Sequence, residues 1–559
     1  FPVNQYISLV DAFDWMMDKK ILQLQAKTTF TEEAYQRMNK EQLLKISEKE
    51  NRFISSDPQQ DSLGFFAMRA NYDLTSNILK VLDARIIRVA DAAIFPVNGE
   101  VTIGKNGLMQ ELKGTTILAN TDTRYHELYG ADVMISSRTH YGGKGLYDYK
   151  PVDGEVQTLQ MNTIGVDSQK HTYATASVSE ADHFNLSSHF GFEGDIELNA
   201  PEEMLRFQGT FSLVHDCEAL AHEWIKFNAR LDPKNIMIPV SNDMENRGNG
   251  NLRTSILYSS TKQGLLPAFF VKPENINDQD IMSATGFLMF DTLRQAYKIA
   301  PEEKLTDPSK RGNMLTFNTT QCVLEGNGKV NMVGDMGRLT MKSAGKGNYY
   351  MIPDSANFTI TTSFDFLFSE EALKVFSTDL KLTDLKGIDV ASTTYSYPLH
   401  EFLDSLSADK QIAELSTFGQ FRKFPEELNH TLMLADMKLA WNPELRSFVG
   451  KGPVGIMSIG KEMVNKYVES YLEIGKRRTG DQFTFYFELE DKHWYYFSYA
   501  NGIMQAISSN KDFNDKLVGL SEKDRTIKSG GGQRSYQYIV SNNEKKASFL
   551  RKMKQTFGE

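Results

Sequence analysis

Cysteine is almost missing from this 559-residue chain, with Cys217 and Cys322 its only two. That scarcity, at this length, excludes a small fold stapled by many disulfides. The two lie far apart in segments that read as β structure, so pairing and redox compartment both stay open. Long apolar runs are missing as well. None approaches the ~18 residues that a membrane-crossing helix needs, so no transmembrane span is expected. Phe1-Pro2-Val3-Asn4 lacks the basic start and apolar middle of a signal peptide, although an exported protein stripped of its signal would begin the same way. Positive charge is in deficit: 62 Lys and Arg stand against 72 Asp and Glu, a net charge of -10. That balance opposes sequence-blind attraction to phosphate backbones, and no nucleic acid partner is expected. A Gly-x-Ser-x-Gly elbow is absent, the acidic residues are too scattered to nominate a glycosidase pair, and no cofactor motif survives inspection.

What is present is the material of a folded protein: 40% hydrophobic, 11% aromatic and 24% charged residues, enough chain for roughly two to four domains. Residues 1–60 read as a helical N-terminal segment. Trp15-Met16-Met17 lies in one helical stretch, and Thr29 or Thr31 caps another running from Thr31 to Lys49. From residue 61 the pattern turns to short alternating runs, which divide into a β-repeat module at 61–240 and a second at 241–365. The polar stretch Ser241 to Asn251 reads as an exposed loop between them. A glycine with apolar residues two and four positions on recurs as Gly99-Val101-Ile103, Gly194-Ile196-Leu198, Gly209-Phe211-Leu213, Gly328-Val330-Met332 and Gly337-Leu339-Met341. The spacing fits strands with alternate side chains on one core, each entered through a turning glycine. The intervals are unequal, so a strict solenoid is not expected.

A helical connector follows at 366–428, with Ser369 capping the run from Glu370 and Ser407 capping Ala408 to Leu415. An antiparallel meander occupies 429–515. Within it Phe483, Phe485 and Phe487 alternate, Glu490 to His493 turns the chain, and Trp494 to Tyr499 returns; Arg477-Arg-Thr-Gly-Asp481 supplies another turn. The tail at 516–559, with Lys528 to Gln533 and Lys545, Lys546, Arg551, Lys552 and Lys554, is basic and ends in a short amphipathic helix. The expected fold is mainly β: coiled-sheet, jelly-roll-like or stacked sandwich modules with a few helices and the C-terminal meander.

Three stretches invite a chemical reading. His215, Glu218, His222 and Glu223 gather with Asp216 and Cys217 within a short span, a metal candidate because a helix would put His215 and His222 on one face. The spacing is not His-Glu-x-x-His, and Leu220 with Trp224 reads more simply as the start of a packed helix. Gly455 to Lys461 has the glycine and lysine spacing of a phosphate loop, but Glu462 stands where Ser or Thr should hold magnesium. Arg138 to Gly145 joins cations, His140 and glycines, which suits a turn between strands better than an anion or sugar site.

Phe65 to Asp73, followed by Val89 to Ile94 and Gly99 to Ile103, resembles the β repeats of the periplasmic lipopolysaccharide-transport bridge family, whose short strands coil into an open jelly roll. With Leu434 to Asn442 and Arg478 to Asp481, the chain as a whole resembles large exported β-repeat proteins of diderm bacteria, a group that carries no assigned activity. The resemblance implies a periplasmic or outer-envelope location and a non-enzymatic scaffold or assembly component with a binding groove. Its partners would be another protein, a second copy, or a lipid or glycan. Two alternatives stand beside it. A lipid or glycolipid carrier needs an unfilled apolar channel along the β blocks, and a carbohydrate-active enzyme needs an open cleft with two carboxylates or a metal, for which Glu218 and Glu223 are the local candidates.

Overall fold

The computed structural model describes residues 1–26, 31–530 and 534–559. Thr29 as a cap, and Gly531 to Gln533 of the basic tail, therefore lie outside the described residues. About 47% of the chain is strand and 17% helix, so the fold is mainly β. Two compact units divide it: Phe1–Val214 with Trp224–Ile238, and His215–Glu223 with Pro239–Glu559.

The first unit carries a 14-stranded and a 5-stranded sheet. Sequence neighbours are mostly spatial neighbours, as strands joined by short turns dictate. Val101 and Ile103, and Ile196 and Leu198, are fully buried and fill the core behind their glycines. Gly99 turns the chain into its strand at φ +64. Gly194 and Gly209 do something else: they face each other across two long strands, Phe190–Asn199 and Leu205–Leu213. A Cβ on Gly194 would stand 2.4 Å from the Gln208 carbonyl oxygen, so glycine is there to let two backbones close up inside a strand.

The helical reading of residues 1–60 needs correction. Trp15 and Met16 belong to the strand Ala12–Met16, paired antiparallel with Ile21–Gln25. Thr31 does cap a helix, accepting from the Ala34 N–H, but that helix is only Glu32–Gln36, and a second, Lys40–Leu43, follows. Tyr35 and Leu43 from these turns bury against Phe66, Ile86 and Phe95.

The second unit is built on a 15-stranded sheet and a 3-stranded one. Its meander forms because period two puts Phe483, Phe485 and Phe487 on one face, where all three are buried. The register pairs Phe485 with Phe497 and Glu488 with Trp494 across the expected turn. The helix Glu370–Leu382, capped by Ser369, buries Ala372, Phe376 and Leu380 on one stripe, and the Phe376 ring stands 4.1 Å from that of Tyr495. Ser407 is not a cap: the helix Ser405–Phe418 starts earlier, and Asp404 accepts the Ser407 N–H. In the tail, Tyr536–Val540 adds a parallel strand to Ile503–Ser508, and the helix Asn543–Thr556 buries Phe549 and Met553 against Tyr486 and Tyr496.

Candidate functional site

His215 and His222 do meet, though not on a helix. Residues 215–224 form an irregular turn in which the two imidazole rings stack at 4.1 Å, with Phe317 edge-on to His215 at 5.2 Å. Cys217 is spent in a disulfide with Cys322, Cα atoms 5.6 Å apart. The Glu223 carboxylate accepts from the Asn246 amide at 3.0 Å. Among the described residues no group of three or more His, Cys, Asp and Glu is arranged to hold a metal ion, so His215, Glu218, His222 and Glu223 are not brought together as a ligand set. Burial first, and then the neighbouring His222, lower the His215 pKa to about 4, against the opposing pull of Asp216.

The phosphate-loop look-alike is the end of the strand Ser447–Gly460 and the tight turn after it, where Lys461 pairs with Glu426 and Glu462 with Lys381. Arg138 sits in the turn between Glu127–Ser137 and His140–Tyr149 and pairs with Glu48.

The chemistry gathers instead at the turn 477–481, in the second unit. Strand ends converge there, because Ser447–Gly460 begins, Glu462–Gly475 ends and Gln482–Glu488 begins at the same edge of the sheet. Around them lies an open cavity of about 580 Å³. Lys476 and Asp481 form its floor, with side chains only 4% and 8% exposed and Nζ 2.7 Å from Oδ2. The ammonium donates its other protons to Gln279 Oε1 at 2.6 Å and the Met332 carbonyl at 3.1 Å, while Asp481 Oδ2 also accepts the Gly334 N–H at 2.6 Å. Burial pulls the lysine below its ordinary pKa and Asp481 pulls it back up.

Four guanidinium groups surround this pair. Arg477 donates to the backbone carbonyls of Arg446 and Lys476, and Arg534 to that of Thr479. Arg446 and Arg478 are exposed and make no side-chain hydrogen bond or ion pair among the described residues. Tyr258 supplies an aromatic wall. Its ring meets Trp441 edge-on at 5.8 Å and lies 5.1 Å from the Lys476 ammonium, and burial foremost, with Asp481 second, raises its phenol pKa. No family model, curated protein or solved structure matches the chain. What the site does must therefore be argued from its own groups.

A less polar cavity of about 440 Å³ lies elsewhere in this unit, between the helix Thr393–Phe402 and the strands Thr340–Tyr350 and Ser355–Asp365. Ala344, Ile360 and Pro398 line it, with Asp436 at its polar end accepting from Thr394 and Tyr467. Sequence reasoning names the 477–481 segment as a turn, and Arg478 to Asp481 as part of a resemblance, but not as a site. Its run of cations was the available signal; the strand end at 258 and the loops near 334, 446 and 534 gave none.

Proposed function

We propose that this chain is a non-enzymatic scaffold or assembly component of the cell envelope, exported to the periplasm or outer envelope of a diderm bacterium, with a ligand-binding cleft at the 477–481 turn. The observation that carries the reading is the Lys476–Asp481 floor. Each of the three ammonium protons has an acceptor, and Asp481 Oδ2 accepts from both that ammonium and the Gly334 N–H, so the pair is a rigidly held feature of the cleft with its charges compensated in place. Extended antiparallel sheets supply the rigid frame, and the Cys217–Cys322 bond suits an oxidising compartment. The test pairs fractionation with an assay: recovery in the envelope fraction together with no turnover on a broad glycan panel supports the proposal, while cytosolic recovery or hydrolysis that is lost on Glu218→Gln or Glu223→Gln sinks it.

A second reading, a lipid or glycolipid carrier, draws on the less polar cavity beside Ile360. Stoichiometric lipid in an organic extract of gently purified protein, lost on Ile360→Trp, would favour it over the first.

A further inference from the structure

The cleft at 477–481 reverses the sign of the molecule around it. The chain carries a net charge of -10, yet the cavity wall presents five cationic side chains, Lys476 and Arg446, Arg477, Arg478 and Arg534, against the carboxylates of Asp335, Glu444 and Asp481. Asp481 is neutralised by Lys476. With that pair set aside, four guanidinium groups stand against the carboxylates of Asp335 and Glu444, and a concave wall with an excess of one sign draws a counter-charged ligand.

The cations are not equivalent, and their differences decide what they are for. Lys476 is buried and fully hydrogen-bonded, so it positions its neighbours and offers no free donor. Arg477 and Arg534 are tied to backbone carbonyls and hold the turn in place. Arg446 and Arg478 remain, with no partner among the described residues, on a frame that fixes their backbones: the Lys476 N–H donates to the Arg446 carbonyl at 2.9 Å, and the Gly480 N–H to that of Arg477 at 3.2 Å. Guanidinium forks match the spacing of carboxylate and phosphate oxygens and bind them bidentately.

Beside them the wall changes character. The side-chain amides of Gln263 and Asn277 face the cavity and also make no hydrogen bond among the described residues. The half-buried Tyr258 ring, which meets Trp441 edge-on, lines the same cavity. Free amides suit hydroxyl groups, and an aromatic face suits the C–H face of a sugar ring.

Resting on the reading of this cleft as a binding site, we propose that its ligand is a saccharide bearing an oxyanion: Arg446 and Arg478 clamp the anionic group, while Gln263, Asn277 and Tyr258 hold the ring. The shared chemistry is an oxyanion on a polyol, and it has two sources, a uronate carboxylate or a sugar phosphate.

Calorimetric titration of the intact chain at low salt tests this with four probes: trigalacturonate, glucose 6-phosphate, neutral maltotriose and inorganic phosphate. One or both acidic saccharides should bind at least about tenfold more tightly than maltotriose and than phosphate alone, with the tighter of the two naming the source. Binding should weaken as salt is added. The Arg446→Gln, Arg478→Gln double variant, which touches no internal hydrogen bond, should lose roughly ten- to a hundredfold, and Tyr258→Ala should weaken the acidic saccharide while leaving phosphate unchanged. Maltotriose binding as tightly as the acidic probes would overturn the oxyanion assignment yet keep the cleft as a binding site. Phosphate binding as tightly as the sugars would overturn the saccharide assignment, a double variant that binds like the parent would overturn the site, and no binding by any probe would overturn both the proposal and the reading beneath it.

Discussion

Lys476 spends one of its three ammonium protons on Asp481 at 2.7 Å, and neither side chain is more than 8% exposed. A buried pair of this kind adds little over well-packed apolar residues, but removing one member strands the other charge in a dry site, at about 3–5 kcal/mol. Lys476→Met should therefore lower urea-unfolding stability by about 3 kcal/mol and abolish ligand binding at the cleft. Lys476→Met combined with Asp481→Asn should recover part of that stability and none of the binding. Equal losses from the single and double variants would contradict it.

Lys304 and Glu401 make a drier and looser pair. Their side chains are 0% and 1% exposed, Nζ stands 3.5 Å from Oε1, and neither Nζ nor Oε2 has a hydrogen-bond partner. Glu401 Oε1 accepts the Gly312 N–H, and the Lys304 ammonium lies 5.4 Å from the Tyr397 ring. With so little hydrogen bonding to offset desolvation, replacing both by apolar or neutral groups should be tolerated. Lys304→Met with Glu401→Gln is expected within about 1 kcal/mol of the parent by urea unfolding, and Lys304→Met alone about 3 kcal/mol below it.

The Cys217–Cys322 bond closes a separation of 105 residues and ties the His215–Glu223 segment into the second unit. Chain-entropy reasoning assigns a loop of that size about 5 kcal/mol. Reduction, or Cys217→Ser with Cys322→Ser, should lower the thermal midpoint of the unit that holds the bond. A midpoint unmoved by reductant would mean that the bond contributes nothing to that unit.

Acid should loosen the same region. The folded pKa of His215 is near 4, below the value of about 6.5 in an unfolded chain, because burial and the stacked His222 disfavour its cation, with Asp216 opposing. Between those values the unfolded state binds the extra proton, so stability is intact above pH 6.5 and falls as pH drops toward 4, by on the order of 2 kcal/mol after allowing for partial solvent access. His215→Phe should flatten that part of the pH–stability curve. An unchanged slope would show that another group sets it.

Much of the fold could be read directly. Phe483, Phe485 and Phe487 alternate because one face of their strand is buried, and that burial is what the periodicity records. Trp15 gives no strand signal because every residue of Ala12–Met16 except Met16 is exposed, which leaves no alternation to record; pairing with Ile21–Gln25 decides its conformation. Gly194 and Gly209 look like turning residues in the sequence, which shows small residues and not the partner backbone each must admit. His215 and His222 were expected together for the spacing of a helix that does not form; an irregular turn joined by Cys217 to Cys322 brings them together instead. The cleft was least legible, since Tyr258 comes from the end of the strand Arg253–Ser259 while Gly334, Arg446, Asp481 and Arg534 come from loops distant in sequence, and only the folded unit brings them together.

The measurement closest to the central claim is native mass spectrometry of the chain purified gently from its own source, as parent and as the Arg446→Gln, Arg478→Gln variant. The parent should carry a small acidic ligand in stoichiometric amount, and the variant should arrive bare. A bare parent, or a variant that keeps the ligand, would contradict the assignment of the 477–481 cleft as the binding site.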